Sequence, residues 1–290
     1  MAEYKRIKRD VLVSICEKAL EKSNCDKTRA AIVADVCVEA DLRGIFSHGI
    51  ARLERYIKHI NKGVINPSAE PEIVYSTPIT AVYDGKNGVG QYIAKIACDK
   101  AVHMASRNGI GIVTVRNSNH YGIAGYWAEQ IMKNCMIGIS STNAAPLVVP
   151  TFGKKALLGT NPVAISFPSN NEAPFMVDMS TSVVPRGKLE VYSRNGLDIP
   201  IGWAVGENGY RTDKPDVVLD NVKEKRYGGL LPLGGEEEVS GGHKGFGLAL
   251  IMELLTAGLS NGEASFNTYG EKGGICHLFM GIRIDLFGDS

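Results

Sequence analysis

The chain has 290 residues, 44% of them hydrophobic and 22% charged. These values are close to the globular average, so they exclude extended disorder and fibrous structure. Lys and Arg number 32 against 31 Asp and Glu, and this near-neutral balance argues against nucleic acid or an acidic membrane surface as the principal partner. No apolar run reaches the roughly 18 to 20 residues of a membrane span. The charged N-terminus is not followed by an apolar segment, so no secretory signal is expected, and six scattered cysteines are typical of reduced thiols. We therefore expect a cytoplasmic enzyme.

The spacing of apolar residues predicts the elements in chain order. Helices are expected at 9–22, 27–42 and 49–61. Strands and helices then alternate, with strands at 79–83, 110–115 and 136–141, and with helices at 90–107 and around 127–131. Strands at 163–167 and 175–179 follow, then long surface connections at 196–242, a helix at 244–259 and a strand at 274–286. This alternation is an α/β signature.

A polar face is predicted on the third helix. If Ser47 caps that helix, then His48, Arg52 and Tyr56 fall at i, i+4 and i+8 and share one face. An imidazole is a proton donor, and a guanidinium binds both oxygens of a carboxylate in one plane. The face therefore indicates a substrate site, with a solvated helix surface as the alternative.

A second polar group lies in the loop 116–122, which follows a predicted buried strand. It contains two amides, a hydroxyl, an imidazole and a phenol, carried by Asn117, Asn119, Ser118, His120 and Tyr121. Open α/β sheets bind ligands beyond strand ends, and a histidine suits proton transfer between a carbonyl and an alcohol. An Asn-rich turn with a solvated histidine is the alternative.

Two further groups are candidates for ligand contact. The turns 158–162 and 178–181 each adjoin an apolar strand and present hydroxyl, amide or carboxylate groups, although ordinary strand-end turns would do the same. Segment 241–247 contains His243 and Lys244 and opens a predicted helix, so it forms either an anion site or a glycine hinge.

Several familiar motifs are absent. No G-x-G-x-x-G follows a strand and no P-loop occurs, so an ordinary Rossmann fingerprint is unsupported. No H-E-x-x-H occurs, and we expect no metal. The G-x-S-x-G string at 258–262 ends a helix, whereas a hydrolase nucleophile needs a strand before it, so it is interpreted as a helix cap.

Five motifs, in order along essentially the whole chain, resemble the type-2 malate/L-lactate dehydrogenase family. They are EADLRGIFSHGIARL at 39–53, NSNHYG at 117–122, LGTNP at 158–162, DMST at 178–181 and GHKGFGLA at 242–249. The family also contains L-sulfolactate, ureidoglycolate and diketogulonate oxidoreductases, and the archaeal malate/L-sulfolactate branch is the most similar.

The resemblance implies an α/β enzyme of α+β character, with a nicotinamide-binding sheet domain that is not a Rossmann fold. Residues 1–75 would form a helical lobe that contributes to the substrate site, and residues 76–290 would form the cofactor-binding and catalytic region. The cofactor is NAD or NADP, the substrate a small 2-oxo or 2-hydroxy acid, and the assembly a homodimer.

The resemblance also assigns roles to residues. His120 or His48 would be the acid/base, and the substrate pocket would contain Ser47, Arg52 and Tyr56. The cofactor site would contain Thr160, Asn161, Pro162, Asp178, Met179 and Ser180. From the residue patterns above we add Asn119 to the substrate pocket, and His243 and Lys244 to the cofactor site.

Two departures from the family pattern leave alternatives open. Residues 236–241, EEEVSG, form an acidic stretch that many relatives lack. Family chains usually continue beyond the position of residue 290 with a segment that adds to the N-terminal lobe and to the cofactor site. The alternatives are a ureidoglycolate- or cyclic-imine-type oxidoreductase on the same scaffold, and a catalytically weak ligand-binding relative.

Overall fold

The computed structural model describes residues 6–171, 173–268 and 273–288. Residues 1–5, which contribute to the argument about a secretory signal, lie outside that part of the chain. The described helices are α1 (Arg9–Glu21), α2 (Lys27–Leu42), α3 (Leu53–Asn61), α4 (Gly90–Asn108), α5 (Ala124–Met132), α6 (Arg186–Arg194), α7 (Pro215–Lys223) and α8 (Gly242–Glu253). The strands are β1 (Glu72–Ser76), β2 (Thr80–Asp84), β3 (Ile110–Ser118), β4 (Met136–Thr142), β5 (Val163–Phe167), β6 (Phe175–Met179), β7 (Ala204–Val205), β8 (Gly229–Leu230) and β9 (Ile275–Arg283). None of the described helices is long and apolar enough to cross a membrane.

A seven-stranded sheet forms the centre of the described chain, in the order β1-β2-β3-β9-β4-β5-β6. Strand β2 pairs with β3 in parallel, and the other neighbouring strands of this sheet pair antiparallel. The last strand, β9, lies between β3 and β4, which prevents the two from pairing with each other. The mixed α/β class is confirmed, with a mostly antiparallel sheet.

Helices α4 and α5 lie directly on the sheet because glycines leave room for them. A Cβ added to Gly111 of β3 would lie 2.2 Å from the carbonyl oxygen of Ala101, and one added to Gly138 of β4 would lie 2.0 Å from that of Ala128. Side chains there would push the helices away from the strands. The core between these layers contains a fully buried Trp127, whose size makes it a major source of hydrophobic stabilisation.

The structure differs from the predicted elements where burial is low. All of β1 is exposed, so it lacks the alternation that identifies a half-buried strand. Helices α6 and α7 bury only a few residues each. Helix α7 lies within the segment 196–242 that was predicted as surface connections, and α6 lies where no element was predicted. Helix α3 is preceded by a 3₁₀ turn at Ile50–Arg52, and Ser47 does not cap it.

Candidate active site

A cavity of about 390 Å³ lies where the N-terminal helices meet the ends of β3, β4 and β6 and the start of α6. It brings together most of the predicted site residues, although they come from four separate parts of the sequence. Those that line it are Ser47, His48, Arg52, Tyr56, Asn119, His120, Thr160, Pro162, Asp178, Met179 and Ser180.

The two candidate histidines lie against each other in this cavity. The ring centroids of His48 and His120 are 5.4 Å apart, and the rings are 24° from parallel. Nδ1 of His120 accepts a hydrogen bond from the backbone N–H of Gly122 at 3.2 Å and lies 2.7 Å from the hydroxyl of Tyr56. Because a backbone N–H can only donate, Nδ1 is unprotonated and the neutral ring carries its proton on Nε2.

Both imidazoles are held in the neutral form. Burial, followed by the charge of Arg52, lowers the pKa of His48 to about 4. Burial is also the main reason why the pKa of His120 lies well below its usual value, and the neighbouring His48 and Arg55 lower it further. In the ligand-free protein at neutral pH, neither ring therefore carries a positive charge that would repel the nearby guanidiniums.

Positive charge gathers beside these rings. Nε of Arg52 donates to the carbonyl oxygen of Ser47 at 2.5 Å, which fixes its guanidinium at the cavity wall. Arg186 also lines the cavity, and Glu190 of α6 pairs with both Arg52 at 3.4 Å and Arg186 at 2.9 Å. Arg55 lines the cavity too. Such a group suits an anionic substrate.

Sequence reasoning missed three of these groups. Arg55 follows Arg52 by one helical turn and could have been found by extending the polar face of α3. Arg186 and Glu190 lie i, i+4 on a helix whose existence the sequence did not predict, so no signal placed them at the cavity.

The loop that carries His120 is held by contacts with the residues at the start of α4. The side-chain amide of Asn119 donates to the backbone carbonyls of Asn87 and Gly88, both at 3.0 Å, so its nitrogen is engaged within the protein. A Cβ on Gly90 would lie 2.3 Å from the carbonyl oxygens of Asn119 and His120, so only glycine lets α4 begin this close to the loop. These contacts fix the imidazole relative to the sheet.

His277, which the sequence did not single out, connects the strands beneath the cavity. It is fully buried, and its two ring nitrogens lie 2.8 Å from the hydroxyls of Thr142 and Ser118. Its ring stacks on Tyr121 at 4.5 Å. Burial lowers its pKa to about 3.

The other side of the cavity has the chemistry that a nicotinamide requires. Pro162, Met179 and Ile123 provide apolar surface for a flat ring, and Asp178 and Thr160 provide polar groups for its amide. The carboxyl of Asp178 accepts from the N–H of Gly125 at 2.8 Å, and its partial enclosure there raises its pKa although the residue retains contact with solvent. These residues fit a nicotinamide.

Three predicted cofactor residues are placed elsewhere. Asn161 is fully buried, and its side chain donates to Glu253 at 2.8 Å and to the carbonyl of Ala249 at 3.1 Å, so it supports the cavity wall and does not line it. His243 and Lys244 are exposed in the first turn of α8 and do not line the cavity. The glycine-rich opening of that helix had suggested an anion site. Among the described residues, no group of three His, Cys, Asp or Glu side chains could hold a metal ion.

Comparison with known proteins identifies the family. A family model described as malate/L-lactate dehydrogenase matches residues 7–290. The chain is 47% identical over 287 residues to a malate dehydrogenase of Pyrococcus abyssi, covering 98% of this chain and 77% of the relative. It is 43% identical over 238 residues to the L-sulfolactate dehydrogenase of Methanocaldococcus jannaschii, covering 82% and 65%.

The fold matches as well. The crystal structure of malate dehydrogenase from Entamoeba histolytica superposes with a TM-score of 0.95 at 38% identity, covering 99% of this chain and 81% of that one. The chain belongs to the malate/L-lactate dehydrogenase family, and the predicted enzyme class, a 2-hydroxyacid dehydrogenase, is confirmed.

Proposed function

We propose that this cavity interconverts a small 2-oxo acid and its L-2-hydroxy acid, using NAD or NADP. The candidate pairs are oxaloacetate with malate and sulfopyruvate with L-sulfolactate, after the names of the relatives. The observation that carries the proposal is the pair of neutral, stacked imidazoles beside a cluster of guanidiniums in one cavity. That arrangement offers an anion clamp and a proton carrier to the same small molecule.

The cofactor half of the proposal rests on the apolar side of the cavity. Pro162, Met179 and Ser180, with Thr160 and Asp178, would hold the nicotinamide. When bound, the reduced cofactor supplies a hydride and the oxidised cofactor accepts one. Everything else that the reaction needs comes from the chain's own side chains.

Arg52 binds the substrate carboxylate, since its planar fork matches two carboxylate oxygens. In reduction, the charged ring of His120 gives its Nε2 proton to the substrate oxygen and keeps on Nδ1 the proton that was taken up on binding; in oxidation, the neutral ring protonated on Nδ1 takes the proton back at Nε2. His48 hydrogen-bonds the same oxygen or takes over as the acid. Binding an anion beside the imidazoles stabilises their charged form and raises their pKa, so proton uptake accompanies binding of the 2-oxo acid. Tyr56 accommodates both states, because its hydroxyl can donate to Nδ1 of His120 or accept from it.

We also propose that the protein is a cytoplasmic homodimer that acts on small molecules and binds neither nucleic acid nor membrane. Residues 1–75 would serve as the substrate lobe and residues 76–290 as the cofactor-binding and catalytic region, because Ser47, His48, Arg52 and Tyr56 come from the first segment and the cofactor wall from the second.

The test compares His120→Ala and His48→Ala with the exposed control His103→Ala. Reduction of oxaloacetate, sulfopyruvate, pyruvate and a cyclic imino acid is followed with NADH and with NADPH. We expect His120→Ala to lose about 10²- to 10⁴-fold in kcat while its affinity for the reduced cofactor stays unchanged. Full activity in His120→Ala would assign the proton to His48, and preference for the imino acid would replace the 2-oxo acid as substrate.

A further inference from the structure

Charge in the cavity is unevenly distributed among its three arginines. Glu190 accepts from Nε of Arg186 through one oxygen and pairs with Arg52 through the other. Arg55 forms no ion pair and no hydrogen bond with another residue in the described part of the chain. Its guanidinium is therefore the one in this cluster without a direct carboxylate partner, and Glu190 attracts it only at longer range.

The surroundings of Arg55 make that positive charge costly. Its side chain lines the cavity and is only partly exposed. Burial, and then the charges of Arg52 and Arg186, lower its pKa below the ordinary arginine value. An anion at this position would remove the cost, because it would neutralise a partly desolvated charge.

The position of Arg55 indicates which anion it takes. Arg55 lines the same cavity as His48 and His120, and its charge lowers the pKa of both rings. Within the cluster of Arg52, Arg55, Arg186 and Glu190, three guanidiniums against one carboxylate leave a net charge of +2. The carboxylate of Asp178 belongs to the cofactor wall of the same cavity. A 2-oxo acid that carries a second acidic group has the matching charge of −2.

We propose that Arg55 binds the second acidic group of the substrate, a carboxylate or a sulfonate, while Arg52 binds the carboxylate next to the keto carbon. This inference rests on the proposed function and adds its specificity determinant. Arg55 thereby selects 2-oxo acids with two acidic groups over those with one. Glu190 contributes by keeping Arg52 and Arg186 partly neutralised, so that the distal acid meets Arg55.

The test compares Arg55→Gln with Lys58→Gln, which removes a positive charge from the exposed side of the same helix. The values of kcat/KM for oxaloacetate and for pyruvate are measured, together with the KM for the reduced cofactor. We expect Arg55→Gln to lower kcat/KM for oxaloacetate by about 10- to 100-fold, the effect of one charge-assisted contact. The cofactor KM should match the Lys58→Gln control, kcat/KM for pyruvate should fall much less than that for oxaloacetate, and Arg55→Lys should restore part of the loss.

Two results would overturn the inference. Equal losses on oxaloacetate and pyruvate would show that Arg55 acts on the shared part of the substrates. An increase confined to the cofactor KM would show that it binds the cofactor's phosphates. If the wild-type protein reduces neither acid, the proposed function fails, and calorimetry with L-malate and L-lactate still decides the role of Arg55. Weaker binding of malate alone by Arg55→Gln would support that role, and an equal effect on both ligands would refute it.

Discussion

Replacing Glu253 with glutamine should destabilise the protein and loosen the cavity wall. This buried carboxylate accepts from Asn143 at 3.1 Å and from the N–H of Ser265 at 2.7 Å through one oxygen. Its other oxygen accepts from Asn161 at 2.8 Å and from the hydroxyl of Ser265 at 2.5 Å. In Glu253→Gln one oxygen becomes an NH₂ group, which cannot accept, so the donors facing it lose their partner.

The magnitude follows from those four contacts. The Ser265 hydroxyl can rotate to accept from the new NH₂ group, which leaves one buried donor facing a donor and weakens the bonds that had a charged acceptor. We estimate a loss of ~2–3 kcal/mol in unfolding free energy, or roughly 4–12 °C in Tm for a chain of this size. Asn143 lines the cavity and Asn161 lies between Thr160 and Pro162, so the cofactor KM should also rise.

The matched control is Glu263→Gln. The side chain of Glu263 is exposed, and its carboxylate accepts a hydrogen bond from the side chain of Asn267 at 2.9 Å in the same surface turn. Urea unfolding and calorimetry on both variants measure the difference. If Glu253→Gln were as stable as Glu263→Gln, the carboxylate would not organise this wall, and the reasoning would be refuted.

The remaining predictions concern the cavity and its support. Arg52→Lys should raise the KM for the 2-oxo acid with little change in kcat, because a point charge replaces a fork; an unchanged KM would argue against the clamp. Tyr56→Phe should lower kcat by about tenfold, since it removes the hydroxyl 2.7 Å from His120, and the cofactor Kd measured alongside should not move. For oxidation of the hydroxy acid, kcat/KM should stay level from pH 8 to about pH 6 and decline only at more acid pH, because the base must be neutral, the pKa of His120 lies well below its usual value and that of the alternative base His48 is about 4. A decline centred near pH 6.5 would contradict that. His277→Asn should flatten the acid dependence of stability. The native pKa of about 3 lies below the unfolded value, so the unfolded chain binds the extra proton between about pH 6.5 and pH 3, and stability falls by up to ~1.4 kcal/mol per pH unit there. Urea unfolding at pH 7 and pH 5 measures the slope, and an unchanged slope in the variant would refute the assignment.

Much of the fold was predictable because most elements bury one face. The central strands and α4 carry regular apolar spacing, and their predicted bounds agree with the structure to within a few residues. What the spacing could not give was the position of β9 between β3 and β4. That pairing joins residues more than 130 positions apart in the sequence, so no local pattern of residues predicts it.

The site shows the same division between local and long-range information. The residue types of His48 and His120 indicated proton transfer from sequence alone, but their stacking depends on packing the segment before α3 against the loop after β3. Asn161 is of a residue type that often contacts ligands. Its positive φ of 32° and its hydrogen bond to Glu253 direct its side chain into the protein interior instead. Glu190 gave no signal, because its role exists only once α6 packs beside Arg52.

The central claim is that this chain places a hydride on C2 of a 2-oxo acid while its own imidazole supplies the proton. The direct measurement incubates oxaloacetate and sulfopyruvate with reduced cofactor that carries deuterium at both C4 positions and locates the deuterium in the product. The account predicts deuterium at C2 of L-malate or L-sulfolactate with the wild-type protein, and the same labelled product formed about 10²- to 10⁴-fold more slowly with His120→Ala. Product without deuterium at C2, or no oxidation of NADH or NADPH with either acid, would contradict it.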